Sequence, residues 1–285
     1  MIQHLLKATL DALPDGVLIV DGDRQVVYCN ETFERMWGIP ADLIDEGKSR
    51  QLVTFVLEQL QDGLSFARDV ERIYRTDQPS RDEVRLKDGR VFVRRSVCFD
   101  GFDRSNTRIW IFTDVTEVKK LQRDSLTGLL NRRRFDEEFA ALLERAEETI
   151  AHAVAIIDID HFKRYNDTYG HAAGDKVIQA VGDRIRGALN RKGDRGYRIG
   201  GEEFLVLCSG RTPSDLTSHV DTIREDVAAL GLPHSGNDGY GKITLSVGLG
   251  VFFGPQDVDP IFEAVDQALY RSKREGRNRL TMVNL

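Results

Sequence analysis

The run Ala151-His-Ala-Val-Ala-Ile-Ile-Asp-Ile-Asp160 decides the fold of the larger half of this 285-residue chain. It reads as a buried strand that ends in two carboxylates. A carboxylate at the end of an apolar strand is costly to leave without a partner. A cation is one remedy, and capping of the next turn is another. If the strand stays extended, Asp158 and Asp160 point to the same face. The second decisive run is Arg198-Ile-Gly-Gly-Glu-Glu-Phe204, where strand residues flank two glycines and predict a tight hairpin. Without Cβ atoms, Gly200 and Gly201 let a phosphate or sugar approach the backbone, with two glutamates at the tip. Alone, this hairpin reads better as an ordinary one with solvated acids. Together, Asp158, Glu202 and Glu203 give three carboxylates on neighbouring strands. Such hard oxygen donors suit Mg²⁺ or Mn²⁺, with substrate phosphates completing the shell, and they suit two-metal nucleotidyl transfer. Histidines and cysteines do not cluster here, which argues against zinc.

Outward from these runs, helix and strand patterns alternate. Helices are predicted over 133–148, 173–188, 213–230 and 257–275. Strands are predicted over 151–158 and 242–252, with a hairpin over 196–208. The order implies an α+β domain, an antiparallel sheet covered by helices. The first half reads as a smaller sheet domain. Gly16–Val20 and Gln25–Tyr28 flank the turn Asp21-Gly-Asp23, and Asn30 is placed to cap a helix carrying Phe33 and Trp37 on one face. A more polar helical stretch runs to Tyr74, then a second hairpin turns at Lys87-Asp-Gly89, and a last strand covers 107–113. Between Asp114 and Asp124, Val115, Val118 and Leu121 recur among charges without Gly or Pro, which predicts a continuous helix. That helix either rests on its own domain or forms a short coiled coil in a dimer, where it could transmit a rotation or register shift. The resulting domain expectation is 1–115, a helical linker over 116–124, and 125–285.

Composition sets the outer bounds. Hydrophobic residues are 41% and charged residues 30%, a globular composition with room for two domains. A net charge of −6 argues against a protein that wraps nucleic acid. Cys29, Cys98 and Cys208 are odd in number and far apart, so they read as reduced thiols in a cytoplasmic protein. No apolar run approaches the ~18 residues of a membrane span. Trp37 and Trp110 read as core residues. His4 is the only histidine of the first half, which disfavours a histidine-ligated haem there, and His152, His219 and His234 lack ligand spacing.

Several blocks carry a family resemblance. Leu13-Pro-Asp-Gly-Val-Leu-Ile-Val-Asp21, Tyr28-Cys-Asn-Glu-Thr-Phe33, the Lys87–Gly89 hairpin and Asp114-Val-Thr-Glu117 together resemble a PAS domain. Asp124-Ser-Leu-Thr-Gly-Leu-Leu-Asn-Arg-Arg133, Asp158-Ile-Asp-His-Phe-Lys163, Asn166-Asp167, Gly170-His171, Gly174-Asp175, Arg198–Phe204, Ser246-Val-Gly248, Ala268-Leu-Tyr270 and Lys273 through Gly276-Arg-Asn-Arg279 closely resemble the GGDEF diguanylate cyclases, with their palm-like fold. The resemblance covers about residues 124–285. It implies that Asp158, Ile159, Glu202 and Glu203 hold two Mg²⁺ (or Mn²⁺) ions, and that Glu202 helps activate a 3′-hydroxyl. It implies Lys163 on the phosphates in the transition state, Asn166 and a buried Asp175 on the guanine edge, and Lys273 with Arg277, on one helix face, on the triphosphate. Glu202 stands where the family name has Asp, a variation that keeps the charge. Arg191-Lys-Gly-Asp194, five residues before the glycine pair, matches the family's R-x-x-D product site for cyclic di-GMP.

The resulting expectation is a homodimer, joined through the linker helix and the PAS-like domain, that condenses two GTP into cyclic di-GMP under sensor control and product feedback. The rivals are a catalytically silent receptor for GTP or cyclic di-GMP, a different nucleotidyl transferase on the same fold, and an interaction module. Nothing in the sequence fixes a haem, flavin or small acid as the ligand of the PAS-like half.

Overall fold

The structure is a computed structural model that describes residues 2–40, 43, 49–76, 78–100, 106–191, 193–210 and 212–285. It divides into two compact units, residues 1–120 and 121–285.

The N-terminal unit begins with helix α1 (Ile2–Asp11) and the strands β1 (Gly16–Val20) and β2 (Val26–Cys29). Helices α2 (Glu31–Trp37), α3 (Ser49–Gln59) and α4 (Gly63–Tyr74) follow, then strands β3 (Ser80–Arg85), β4 (Val91–Asp100) and β5 (Asn106–Asp114). The sheet runs β2-β1-β5-β4-β3, and every pairing is antiparallel. The first turn forms because the Asp21 carboxylate accepts from the backbone N–H of Asp23 and Gln25. Asn30 is fully buried and ties the entry of α2 to its surroundings. Its Oδ1 accepts from Phe33 N at 2.9 Å and Val17 N at 2.8 Å, while Nδ2 donates to the carbonyls of Leu10 and Asp15. Trp37 stands edge-on to Phe92 and Phe112, with ring centroids 5.3 and 5.4 Å apart, and Trp110 is buried beside them. Both tryptophans are core residues, as their setting in the sequence suggests.

The helix expected over 114–124 is shorter. Helix α5 spans Thr116–Leu121, started by the Asp114 carboxylate accepting from Thr116 N at 2.8 Å. It stops because the next carbonyls find other donors. Asn131 donates from its side chain to Leu121 O and from its backbone to Gln122 O, and Arg123 bridges Leu130.

The C-terminal unit holds β6 (Leu130–Asn131), α6 (Arg132–Glu144), β7 (Ala151–Ile159), α7 (Phe162–Tyr169), α8 (His171–Ala188), β8 (Arg195–Arg198), β9 (Glu203–Gly210), α9 (Pro213–Ala229), β10 (Leu245–Phe252), α10 (Val258–Arg274) and β11 (Leu280–Asn284). The sheet order is β11-β10-β7-β9-β8-β6. Strand β7 lies between β10 and β9, antiparallel to both, and buries every residue but His152 nearly completely. Its odd-numbered residues from Ala151 to Ile159 pack with α7, α8 and α9, while Val154 and Ile156 pack with α6 and α10. Two helical layers therefore sandwich the sheet, which is why β7 is apolar without alternation.

Two features depart from the predicted pattern. The sheet is mixed rather than antiparallel, because β11 runs parallel to β10 after the α10 crossover and β6 runs parallel to β8. Helix α7, absent from the sequence reading, precedes α8, and Gly170 at φ +82° breaks one from the other. Helix α10 lies directly on β10. A Cβ at Gly248 would sit 2.2 Å from Val265 O and 2.5 Å from Leu269 N.

Candidate active site

Asp158 ends the inner part of β7, opposite Glu203 on β9 and Ser246 on β10. Its even position turns it to the α10 layer, where Lys273 in the last turn of α10 places Nζ 2.8 Å from Oδ2. Burial pushes the Asp158 carboxyl above its usual range, Lys273 opposes this, and Glu203 and Asp160 add to it. Glu202, in the hairpin before β9, is also raised, by burial first and then by the charge of Asp158, with Lys273 again opposing. Two desolvated carboxylates and one ammonium thus share a small volume. The hairpin is tied down by Ile199 N and Gly200 N donating to Glu203 O at 3.0 and 3.3 Å, and by Ile159 N donating to Glu202 O at 3.4 Å. Arg198 donates to Gly201 O and pairs with Asp124 at 3.1 Å. A Cβ at Gly200 would sit 2.7 Å from Glu203 Oε2, whereas one at Gly201 would meet nothing within 4 Å. The open side of the hairpin is therefore at Gly201.

The three-carboxylate cluster is not preassembled. Among the described residues no three His, Cys, Asp or Glu side chains stand together in a metal-holding group. Glu203 is exposed, and the ammonium of Lys273 compensates Asp158. The donor set nevertheless fits a hard divalent cation, because it consists of carboxylate oxygens, two of them, on Asp158 and Glu202, desolvated enough to leave negative charge poorly solvated.

The other predicted residues fall on four elements. Lys163 is exposed in the first turn of α7, and Asn166 lies one turn further on. Asn166 Oδ1 is buried without a hydrogen-bond partner. Gly174 on α8 makes its place, since a Cβ there would lie 1.9 Å from Asn166 Oδ1. Asp175, expected to be buried, is exposed on α8, because the residues of this helix that turn inward are Gly174, Val177 and Ile178. Lys273 and Arg277 do not share a helix face. Helix α10 ends at Arg274, and Gly276, Arg277 and Asn278 all have positive φ, at +112°, +62° and +45°. These residues reverse the chain into β11. Arg191 and Asp194 close one turn between α8 and β8: Arg191 N donates to Asp194 Oδ2 and Asp194 N to Arg191 O, both at 3.1 Å. The exposed Arg191 side chain also donates to Ser209 O.

Asp160 has a role that the sequence did not disclose. It is buried, and its carboxylate accepts from Ser246 Oγ at 2.6 Å, Thr244 Oγ1 at 2.7 Å and Asn278 N at 3.1 Å. It therefore clasps the turn that carries Arg277. The alternation Asp158-Ile159-Asp160 did bring both carboxylates to the α10 side, but with separate partners. Of the histidines, His234 is fully buried against Tyr165 and bonds His161 O, and His152 bonds Ser209.

Comparison with known proteins identifies the family of the chain. The family described as diguanylate cyclase, GGDEF domain, matches residues 121–279, and the PAS domain family matches residues 4–73. The chain belongs to the GGDEF diguanylate cyclase family, with a PAS domain ahead of the GGDEF domain. It is 38% identical over 180 residues to diguanylate cyclase DgcM of Escherichia coli, covering 60% of this chain and 42% of DgcM. It is 40% identical over 170 residues to DgcP of Pseudomonas aeruginosa, covering 57% of this chain and 24% of DgcP. The chain thus spans less than half the length of these two relatives. Among solved structures, the coiled coil and GGDEF domain of DgcB from Caulobacter crescentus, in complex with c-di-GMP, is similar at a TM-score of 0.53 and 35% identity, covering 59% of this chain and 88% of that one. Diguanylate cyclase SiaD of Pseudomonas aeruginosa, solved with its activator SiaC, gives a TM-score of 0.50 at 30% identity, covering 59% of this chain and 64% of that one.

Proposed function

We propose that this protein condenses two molecules of GTP into cyclic di-GMP with release of two pyrophosphates. The observation that carries this reading is the convergence of Asp158, Glu202 and Lys273 beside the open Gly200-Gly201 hairpin. Asp158, Glu202 and Glu203, with the Ile159 carbonyl, would hold two Mg²⁺ (or Mn²⁺) ions, which would lower the pKa of the attacking 3′-hydroxyl and offset phosphate charge. The chain's own residues do the rest. Lys163, Lys273 and Arg277 hold phosphate oxygens, and Lys163 answers the charge that develops as pyrophosphate leaves. Asn166 has an unpartnered buried oxygen that can accept from a base amino group, and Asp175 accepts from guanine N1–H and N2–H. Glu202, whose proton affinity is raised, can take the 3′-hydroxyl proton.

One GGDEF unit holds one GTP, so two units must face each other, each 3′-hydroxyl attacking the α-phosphorus of the other nucleotide. Rate is then set by proximity, and a PAS-driven change in a homodimer is a route to controlling it. Cyclic di-GMP at Arg191 and Asp194 would supply feedback. The purified protein with GTP and Mg²⁺ should yield cyclic di-GMP, identified by mass, and Glu202→Ala should yield at least 100-fold less, an order of magnitude typical of losing an essential acid–base or ligand group. Bound GTP with no product from an enforced dimer would instead identify a receptor.

A further inference from the structure

The turn that carries Arg277 is strained, and side chains from three directions hold it. Gly276, Arg277 and Asn278 all have positive φ, a region costly for an arginine, and such backbone persists only where its surroundings fix it. Asp160, just past β7, accepts from Asn278 N. Arg224, on α9, donates to Asn278 O at 3.3 Å and to Asn278 Oδ1 at 3.1 Å. The third holder is the half-exposed Tyr240. Its single hydroxyl proton is shared between Gly276 O at 3.1 Å and Arg277 O at 3.4 Å.

Tyr240 differs from the other two in where it stands. It belongs to the loop over residues 230–244, between α9 and β10, and that loop is packed on α7. His234 is fully buried, stands edge-on to Tyr165, and donates from Nε2 to His161 O at 3.2 Å. Its Nδ1 accepts from Gly236 N at 3.2 Å, which is consistent with the neutral tautomer. Ser235 N donates to Tyr169 Oη at 3.1 Å, and Arg164 donates to Gly236 O at 3.5 Å. Within the loop, Tyr240 N and Gly241 N donate to Asn237 O. The buried Asn237 amide donates to Lys242 O at 2.7 Å and to Thr244 Oγ1 at 2.9 Å, and Thr244 Oγ1 donates to Asp160. A connected set of hydrogen bonds therefore joins α7, which bears Lys163 and Asn166, to the turn that bears Arg277.

We propose that Tyr240 is a positioning residue, through which this loop sets the spacing between the base-reading helix α7 and the phosphate-gripping Arg277 and so favours a guanosine triphosphate over a monophosphate. The proposal rests on the GTP reading given above. Tyr240 acts through Arg277 and not on the base.

Two ligands that cannot turn over separate these effects: 3′-deoxy-GTP lacks the attacking hydroxyl, and GMP lacks the pyrophosphate to be released. Tyr240→Phe keeps the ring and removes only the hydroxyl. Titration calorimetry of the full chain with Mg²⁺ should show Tyr240→Phe binding 3′-deoxy-GTP about fivefold more weakly, the worth of one hydrogen bond, with GMP affinity unchanged. Added to Arg277→Ala, the same substitution should cost nothing more, because both act through one contact. In the nucleotide-free protein, the Asn278 amide should exchange with solvent about fivefold faster in Tyr240→Phe, while the amides of β7 keep their rates. Equal affinity for 3′-deoxy-GTP, an equal loss for GMP, a further loss on top of Arg277→Ala, or unchanged exchange at Asn278 would each overturn the proposal. A parent protein that binds neither nucleotide would overturn the GTP reading with it, whereas a parent that binds both, beside an unaltered Tyr240→Phe, would leave that reading standing.

Discussion

Gly174 shows how a single missing atom can make room for Asn166, the side chain proposed to read the base. The oxygen of Asn166 occupies the space that a Cβ at position 174 would take, 1.9 Å away. Gly174→Ala should therefore displace Asn166 while leaving the helix intact, since alanine is the better helix former. The expected result is GTP affinity weaker by about tenfold, one hydrogen bond's worth, with the melting temperature little changed. Titration calorimetry with GTP measures it. Cys208 makes a second residue-scale test. It is buried on β9, and burial pushes its thiol up to about 12. The folded state therefore keeps the proton that the unfolded chain releases above about pH 8.5, the ordinary thiol value. Stability contributed by this group is complete below that pH and is lost progressively as pH rises toward about 12. Denaturant midpoints measured between pH 8 and 11 should fall less steeply in Cys208→Val than in the parent, and the native thiol should resist alkylation at pH 8.

At the scale of elements, helix α10 is held against β10 by the absence of a side chain at Gly248, and this contact brings Lys273 over Asp158. Gly248→Ala drives a methyl into the backbone of Val265 and Leu269. It should destabilise the C-terminal unit by about 1–3 kcal/mol, the usual range for overpacking, and a chemical denaturation curve would show it. This is also the scale at which the sequence was most and least legible. Strand β7, the hairpin at 200–201 and helices α6, α9 and α10 could be read because each carries a strong period or an unbroken apolar run. Strand β11 escaped because Leu280–Asn284 is short and half-exposed, and its parallel partner is chosen by the α10 crossover rather than by its own residues. The linker helix was overextended because nothing local reveals that Asn131, ten residues on, takes the carbonyl of Leu121. At the site, the acidic residues were visible but their partners were not. Asp160 could be read only as sharing a strand face with Asp158, and the tertiary arrangement of Thr244, Ser246 and Asn278 gives it to the Arg277 turn.

For the whole molecule, each unit has its own sheet and its own buried cluster, so each should melt as a cooperative body. The chain has two tryptophans, and Trp37 and Trp110 both belong to the core of the N-terminal unit, one of them edge-on to two phenylalanines. The C-terminal unit has none. Far-ultraviolet dichroism therefore follows both units, while indole emission follows one, and the two melting curves should fail to superimpose. Exciting at 295 nm turns the molecule into its own selective reporter: red-shifted emission that leaves the dichroism half intact would show the PAS unit opening by itself, with no dye, tag or label attached.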